Sequence, residues 1–145
     1  MFVKQISIFL ENVKGSLYDL MDLLGNGGIN LLALSIADTT GFGIVRCITR
    51  DDQVDPALAL LRQGGLIAKV NDVVCVQMPH KPCGFANVLH VLKENNLSVE
   101  YCYSFCRSTS DDAVMILRTS DKHRCVQALQ QAGVTMLTQQ QVDAL

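Results

Sequence analysis

The sequence lacks most of the features that announce a catalyst, a membrane protein or a nucleic-acid binder. No apolar run approaches the roughly 20 residues that span a bilayer. The opening stretch Met1-Phe2-Val3-Lys4-Gln5 has none of the apolar core of a signal peptide. The expectation is a cytoplasmic protein that makes no membrane contact. Net charge is −2, no block of like charges occurs and no basic patch is readable, so nucleic acid is not an expected partner. There is no Ser/His/Asp set, no phosphate-binding glycine loop and no H-E-x-x-H, so the chain is not expected to be an enzyme or to carry a cofactor. The six cysteines form no C-x-x-C pair. Cys47, Cys75 and Cys102 fall in apparent strands and Cys125 in a helix, as reduced and mostly buried thiols do in a reducing compartment. No metal site is expected, because His80 and Cys83 alone are too few ligands for a closed one. No Pro/Gly/Ser-rich spacer interrupts the 145 residues.

What the chain does contain is a repetition. Adding 68 to the numbering carries Ile6, Ile8 and Leu10 onto Val74, Val76 and Met78. The same shift carries Gly15-Ser16-Leu17 onto Cys83-Gly84-Phe85, and Leu20, Met21 and Leu24 onto Val88, Leu89 and Leu92. It also carries Ile29 and Leu31 onto Leu97 and Val99. Past a turn the shift becomes 69, so Leu60 meets Leu129 and Gly64 meets Gly133. A chance coincidence of apolar periods would drift in phase, so the match predicts a duplication, with domains at 1–70 and 71–145. Each half has about 70 residues, a size at which a lone core is marginal.

Alternation and helical spacing give the same order of elements in both halves. The first half reads as strand 3–10, helix 15–24, strand 29–38, a turn at 39–41, strand 42–49, a helix and strand 66–70. Asp52 or Asp55 is the expected cap of that second helix, with Pro56 in its first turn. The second half reads as strand 72–78, helix 84–95, strand 97–106, turn 107–111 and strand 113–118. A helix capped by Ser120 or Asp121 and strand 134–138 complete it, with a helical turn expected in the tail. The fold class is therefore α+β: two tandem ferredoxin-like βαββαβ units, each a four-stranded antiparallel sheet with two helices on one face. Open sheet edges favour pairing between units or chains.

The stretches that carry chemistry are the two strand-to-helix turns, residues 11–17 and 79–85. Each ends at a helix N-terminus, where unpaired N–H groups and about half a positive charge can hold a small anion. The amides around Gly15-Ser16-Leu17 and Gly84-Phe85 are candidate donors to a carboxylate. Asn12, with Val13 and Lys14 beside it, and Asn30 are candidate contacts for an ammonium group. His80 and Ser98 take the corresponding positions in the second half, and Pro82 and Cys83 complete its turn. A plainer role stands beside each. Asn12 suits a helix cap, Gly15 and Gly84 suit a turn, and the side chains of Leu17 and Phe85 suit a core.

Lys81-Pro82-Cys83-Gly84-Phe85-Ala86 resembles the Lys-Pro-Gly-Gly-Leu-Ala turn of the ACT domain family. Gly28-Ile29-Asn30-Leu31 is similar to that family's Gly-Ile-Asn-Val at the second strand, and Asn96-Leu97-Ser98-Val99 stands in its place in the second half. The resemblance covers nearly the whole chain. It implies a small-molecule sensor, usually for an amino acid, of the kind that regulates aspartate kinase and phosphoglycerate dehydrogenase. It implies a ligand held where two such domains meet, at the first turn of one and strand residues of its neighbour. It further implies a homodimer, with a regulated metabolic enzyme as a possible partner. Two departures from the pattern make the turns unequal: Cys83 replaces the first glycine, and Val13-Lys14 replaces Lys-Pro. Two other readings remain. One is a ligand-free protein-interaction or dimerisation module. The other is a thiol-based redox sensor using Cys83, whose place at a helix N-terminus favours thiolate.

Overall fold

The computed structural model describes residues 1–38, 41–106 and 111–145. The expected turns at 39–41 and 107–111 fall largely on residues outside that set. The chain divides into two compact units, Lys4–Asn71 and Asp72–Leu145, the latter joined by Met1–Val3.

The first unit is built from β1 (Val3–Glu11), α1 (Ser16–Asn26), β2 (Ala33–Asp38), β3 (Phe42–Ile48), α2 (Asp51–Gln63) and the beginning of β4 (Ile67–Pro79). Its strand order is β2-β3-β1-β4. β1 runs antiparallel to β3, with Ile6 opposite Cys47 and Ile8 opposite Val45. Period two places Ile6, Ile8 and Leu10 on the face where α1 and α2 lay down Leu20, Leu24, Val54, Ala57 and Leu61.

Two expectations for this unit are corrected. Strand 29–38 begins only at Ala33. The Ile29 amide donates to the Leu24 carbonyl at 2.9 Å, so Ile29 closes helix α1 while its side chain enters the core. The Gln53 side chain then clamps this connection, donating to Gly28 O at 2.9 Å and accepting from the Asn30 amide at 3.2 Å. Helix α2 starts earlier than either expected cap. Its N-cap is Arg50, without a side-chain cap bond, and Asp51 and Asp52 occupy the first turn. Their carboxylates act there through charge, where the helix dipole favours them, and Asp51 also meets Lys4 Nζ at 2.9 Å. Pro56 lies inside the helix.

The second unit continues β4 into α3 (Gly84–Glu94), β5 (Val99–Ser104), β6 (Asp112–Thr119), α4 (Lys122–Gln131), β7 (Thr135–Leu137) and α5 (Gln139–Asp143). Its order is β7-β4-β6-β5. Val74, Val76 and Met78 pack with Val88, Leu92, Leu117, Cys125 and Leu129, and the first five of these are the equivalents under the repeat of Ile6, Ile8, Leu10, Leu20 and Leu24. The two expected strands 66–70 and 72–78 are one uninterrupted strand, β4, which runs straight through Asn71-Asp72 even though both residues favour turns. Strand β5 ends at Ser104, short of the expected 106, so it holds Cys102 and not Cys106. Asp121 is the N-cap of α4, its Oδ1 accepting from the His123 and Arg124 amides at 3.0 Å each. The tail helix α5 opens on a capping box formed by Thr138 and Gln141. Met1–Val3 groups with this unit because Phe2 packs on its core. The Phe2 ring lies under Lys122 Nζ at 4.8 Å and edge-on to His123 at 5.3 Å.

The two helix starts differ in what a carboxylate does, and substitution separates them. Asp121→Ala removes a cap and lowers stability by about 1 kcal/mol. Asp52→Ala removes only a first-turn charge and costs about 0.5 kcal/mol. Urea unfolding of the two variants measures both.

Candidate functional site

The two strand-to-helix turns are bonded alike. In the first, the Asn12 amide donates to Gly41 O at 3.2 Å, Val13 to Glu11 O at 2.9 Å, Ser16 to Val13 O at 3.2 Å and Asp19 to Gly15 O at 3.0 Å. In the second, the amides of His80, Lys81, Gly84 and Asn87 donate to the carbonyls of Asp111, Pro79, Lys81 and Cys83 at 3.2, 2.9, 3.0 and 3.0 Å. In each, the residue before the helix is left-handed: Gly15 at φ 91° and Cys83 at φ 65°. These residues, not Asn12, are the N-caps, and neither helix has a side-chain cap. Among the described residues no acceptor meets the amides of Leu17, Tyr18, Phe85 or Ala86. Both turns thus present open donors at the positive end of a helix.

A residue at the start of each helix then sets the turns apart. Ser16 Oγ donates to Glu11 O at 2.7 Å and is also 2.9 Å from Val13 O. Gly84 takes the corresponding place in the second turn. A Cβ there would lie 2.3 Å from Pro79 O, the counterpart of Glu11 O, so the tighter second turn admits only glycine. Gly15, by contrast, has open space where a Cβ would be.

At the first turn, Asn12, Val13, Gly15, Ser16 and Leu17 line one cavity of about 350 Å³. Tyr18, Leu10, Glu11, Ile36 and Gly43 complete it, while Lys14 does not line it. The sequence reading missed Glu11, Tyr18 and Ile36. The signal for Tyr18 and Ile36 was a large apolar side chain left exposed beside a turn, legible only once β2 is placed next to β3. At the second turn, Gly84 and Lys81 line a cavity of about 360 Å³ with Pro79, Asn87 and the 132–135 connection. His80, Pro82, Cys83 and Phe85 do not line it. Asn30 and Ser98 are placed elsewhere in their own units. Asn30 precedes Ala33, which pairs with Ile48 at the end of β3 remote from Phe42, the partner of Glu11. The Ser98 amide donates to Ser120 Oγ at 3.3 Å and its carbonyl accepts from the Ser120 amide at 3.0 Å, beyond Thr119 at the far end of β6. A second cavity of about 570 Å³ lies on the β4 flank of the first turn.

The thiols divide into two groups. Cys47, Cys75 and Cys125 are buried, and Cys83, Cys102 and Cys106 are exposed. Burial pushes the Cys47 and Cys75 thiols up to about 12. Burial raises Cys125 too, offset in part by the nearby Thr119 hydroxyl and reinforced by the Asp121 charge. Among the described residues no group of three His, Cys, Asp or Glu side chains is placed to hold a metal ion. No helix among them is long and apolar enough to cross a membrane.

The sequence profile of a family described as an ACT domain pair matches residues 1–144. The crystal structure of a Bacteroides thetaiotaomicron protein is similar at 34% identity and a TM-score of 0.90, over 100% of this chain and 98% of that one. The regulatory subunit of aspartate kinase from Thermus thermophilus, in its ligand-free form, is similar in fold at 16% identity and a TM-score of 0.64, over 89% and 91%. E. coli aspartokinase III in complex with lysine and aspartate is similar in fold at 16% identity and a TM-score of 0.54, over 91% of this chain and 31% of that one. No curated protein sequence matches the chain.

The turn geometry makes opposite demands on neighbouring residues. Gly84→Ala drives a methyl into a backbone oxygen and destabilises by about 2–3 kcal/mol. Cys83→Gly relieves a left-handed side chain and stabilises by about 1 kcal/mol. Denaturant titration of both variants reads the two signs. The thiols give a second test: alkylation of the folded chain at neutral pH labels Cys83, Cys102 and Cys106 and spares the other three, by mass spectrometry. Because Cys47 and Cys75 are raised from 9.0 to about 12, their contribution to stability is full below pH 9.0 and declines as pH climbs toward 12.

Proposed function

The chain belongs to the ACT domain pair family, and from that premise we propose that it is a regulatory protein whose ligand is an amino acid held at the first turn. One observation carries this reading: unanswered first-turn amides next to a cavity of about 350 Å³. That volume falls within the range of small-molecule sites, about 300–1,000 Å³. The amides of Leu17 and Tyr18 supply donors to the ligand's carboxylate. Glu11 and the Asn12 side chain offer acceptors to its ammonium group. The wall formed by Leu10, Leu17 and Ile36 favours an apolar ligand side chain. The occupant of the distant relative aspartokinase III, lysine with aspartate, is of the same chemical class. The second turn is the poorer site, since Cys83 takes the place of the open glycine and His80, Pro82, Cys83 and Phe85 do not line the cavity beside it.

Regulation follows if the ligand favours one packing of the chain, or of a chain and its partner, over another. We read the chain as a homodimer, on the support of β2 and β5, which end their sheets, and of Ile36, exposed on β2. A metabolic enzyme is the partner this role calls for, and the unpaired thiols suit a cytoplasmic setting. A second reading, a ligand-free interaction module, draws on the exposed Phe9, Phe42 and Ile67 of the same unit.

Thermal melts with each free amino acid at millimolar concentration separate the readings. A ligand at about 100 times its Kd stabilises the fold by about 2.7 kcal/mol, a rise of a few degrees. Gly15→Leu, whose side chain enters open space, abolishes that rise and leaves a folded chain weakened by about 1–2 kcal/mol of left-handed strain. Asn12→Ala weakens the response as well. If no amino acid moves the melt of the parent chain, the interaction module is the correct reading.

A further inference from the structure

The cavity on the β4 flank of the first turn and the cavity at the second turn are the same place, repeated. Leu10, Ser16, Asp19, Leu20 and Leu23 line the first, and their partners under the shift of 68, Met78, Gly84, Asn87, Val88 and Val91, line the second. Gly65 and Gly133, left-handed at φ 75° and 71°, close the two walls, so the shift of 68 holds here where the sequence had suggested 69. The apolar frame has been kept, and the charge has been reversed. The first cavity carries two carboxylates, Glu11 and Asp19, and no cation. In the second, Pro79 and Asn87 take those two positions and Lys81 replaces Val13, leaving one cation and no carboxylate. Neither Glu11 nor Asp19 is ion-paired among the described residues, and the two cavities measure about 570 and 360 Å³.

We propose that the β4-flank cavity of the first unit binds a small organic amine, one with an apolar body and no carboxylate, and that its copy in the second unit does not. The body is taken up by Leu20, Leu23, Phe42 and Ile67. The last two are 58% and 67% exposed, so they have apolar surface to cover. The ammonium faces Glu11 and Asp19 at the mouth. An anion is turned away by both, and a zwitterion sets its own carboxylate against them. This site is distinct from the amino-acid cavity of the same turn. Asp19, Phe42 and Ile67 line the β4 flank and take no part in the other cavity.

Calorimetric titration of the full chain with n-hexylamine, hexanol and hexanoate tests the assignment. The expected result is one hexylamine per chain, bound about tenfold or more tightly than hexanol, with hexanoate weakest. Asp19→Asn combined with Glu11→Gln removes the preference for the amine over the alcohol. Thermal melts show whether the variant is folded, and Asp19→Lys, changed at a single exposed position, gives an independent loss. Added salt weakens hexylamine and leaves hexanol unchanged. Hexanol matching hexylamine on the parent chain overturns the proposal, as does a preference that survives both variants. Asp19→Asn alone leaves the amino-acid response of the other cavity intact, so failure of either site is told apart from failure of the other.

Discussion

The first strand-to-helix turn of each unit passes through one left-handed residue, and most of the functional geometry depends on it. Gly15 and Cys83 supply it. With the chain reversed so sharply, no residue remains in position to cap α1 or α3 with its side chain. The first-turn amides are left facing outward, beside a hollow that the end of β1 and the neighbouring strands enclose. Each turn also keeps one glycine, but at adjacent positions and for unlike reasons. In the first, glycine accommodates the backbone angle. In the second, Gly84 accommodates a carbonyl that approaches to within 2.3 Å of where a Cβ would be. The duplication thus conserved the shape of the turn and redistributed the residues that make it possible.

Constraint is uneven between the inside and the outside of the repeat. Core positions of β1 and α1 changed only among apolar residues: Ile6 to Val74, Ile8 to Val76, Leu20 to Val88. A change of volume or polarity there is felt at once, because interiors are close-packed. At the rims of the cavities, where water screens and side chains have room, Glu11 became Pro79 and Val13 became Lys81. Divergence was therefore inexpensive where recognition takes place.

Most of the architecture was legible in the sequence because alternation of period two and helical spacing are local signals, and the repeat let each half check the other. The strand through Ile6, Ile8 and Leu10 and the helix through Leu20 and Leu24 could be read directly. What escaped reading was nonlocal. Ile29 alternates as a strand residue does, yet its amide returns to Leu24. Asp52 has the chemistry of a cap but falls inside a helix whose cap, Arg50, comes two residues sooner. Phe2 groups with residues more than a hundred positions away, which no periodicity could reveal. Of the candidate ligand residues, those of the first turn except Lys14 gather around one cavity because they are contiguous. Asn30 and Ser98 were attached to the turns by analogy of position, and the strand register carries them to the other end of their units.

The exposed apolar side chains have a consequence for how the chain behaves in solution. Among the described residues nine large ones are exposed, and only Met1 belongs to the second unit. The others are Phe9, Val13, Leu17, Tyr18, Ile36, Phe42, Ile67 and Val70. Salts such as sulfate, which are excluded from protein surfaces, strengthen the tendency to cover apolar area. Their pull falls on one half of the chain and spares the other. The apolar surface that such salts act on is then concentrated in Lys4–Asn71, where polar substitutions remove most of it.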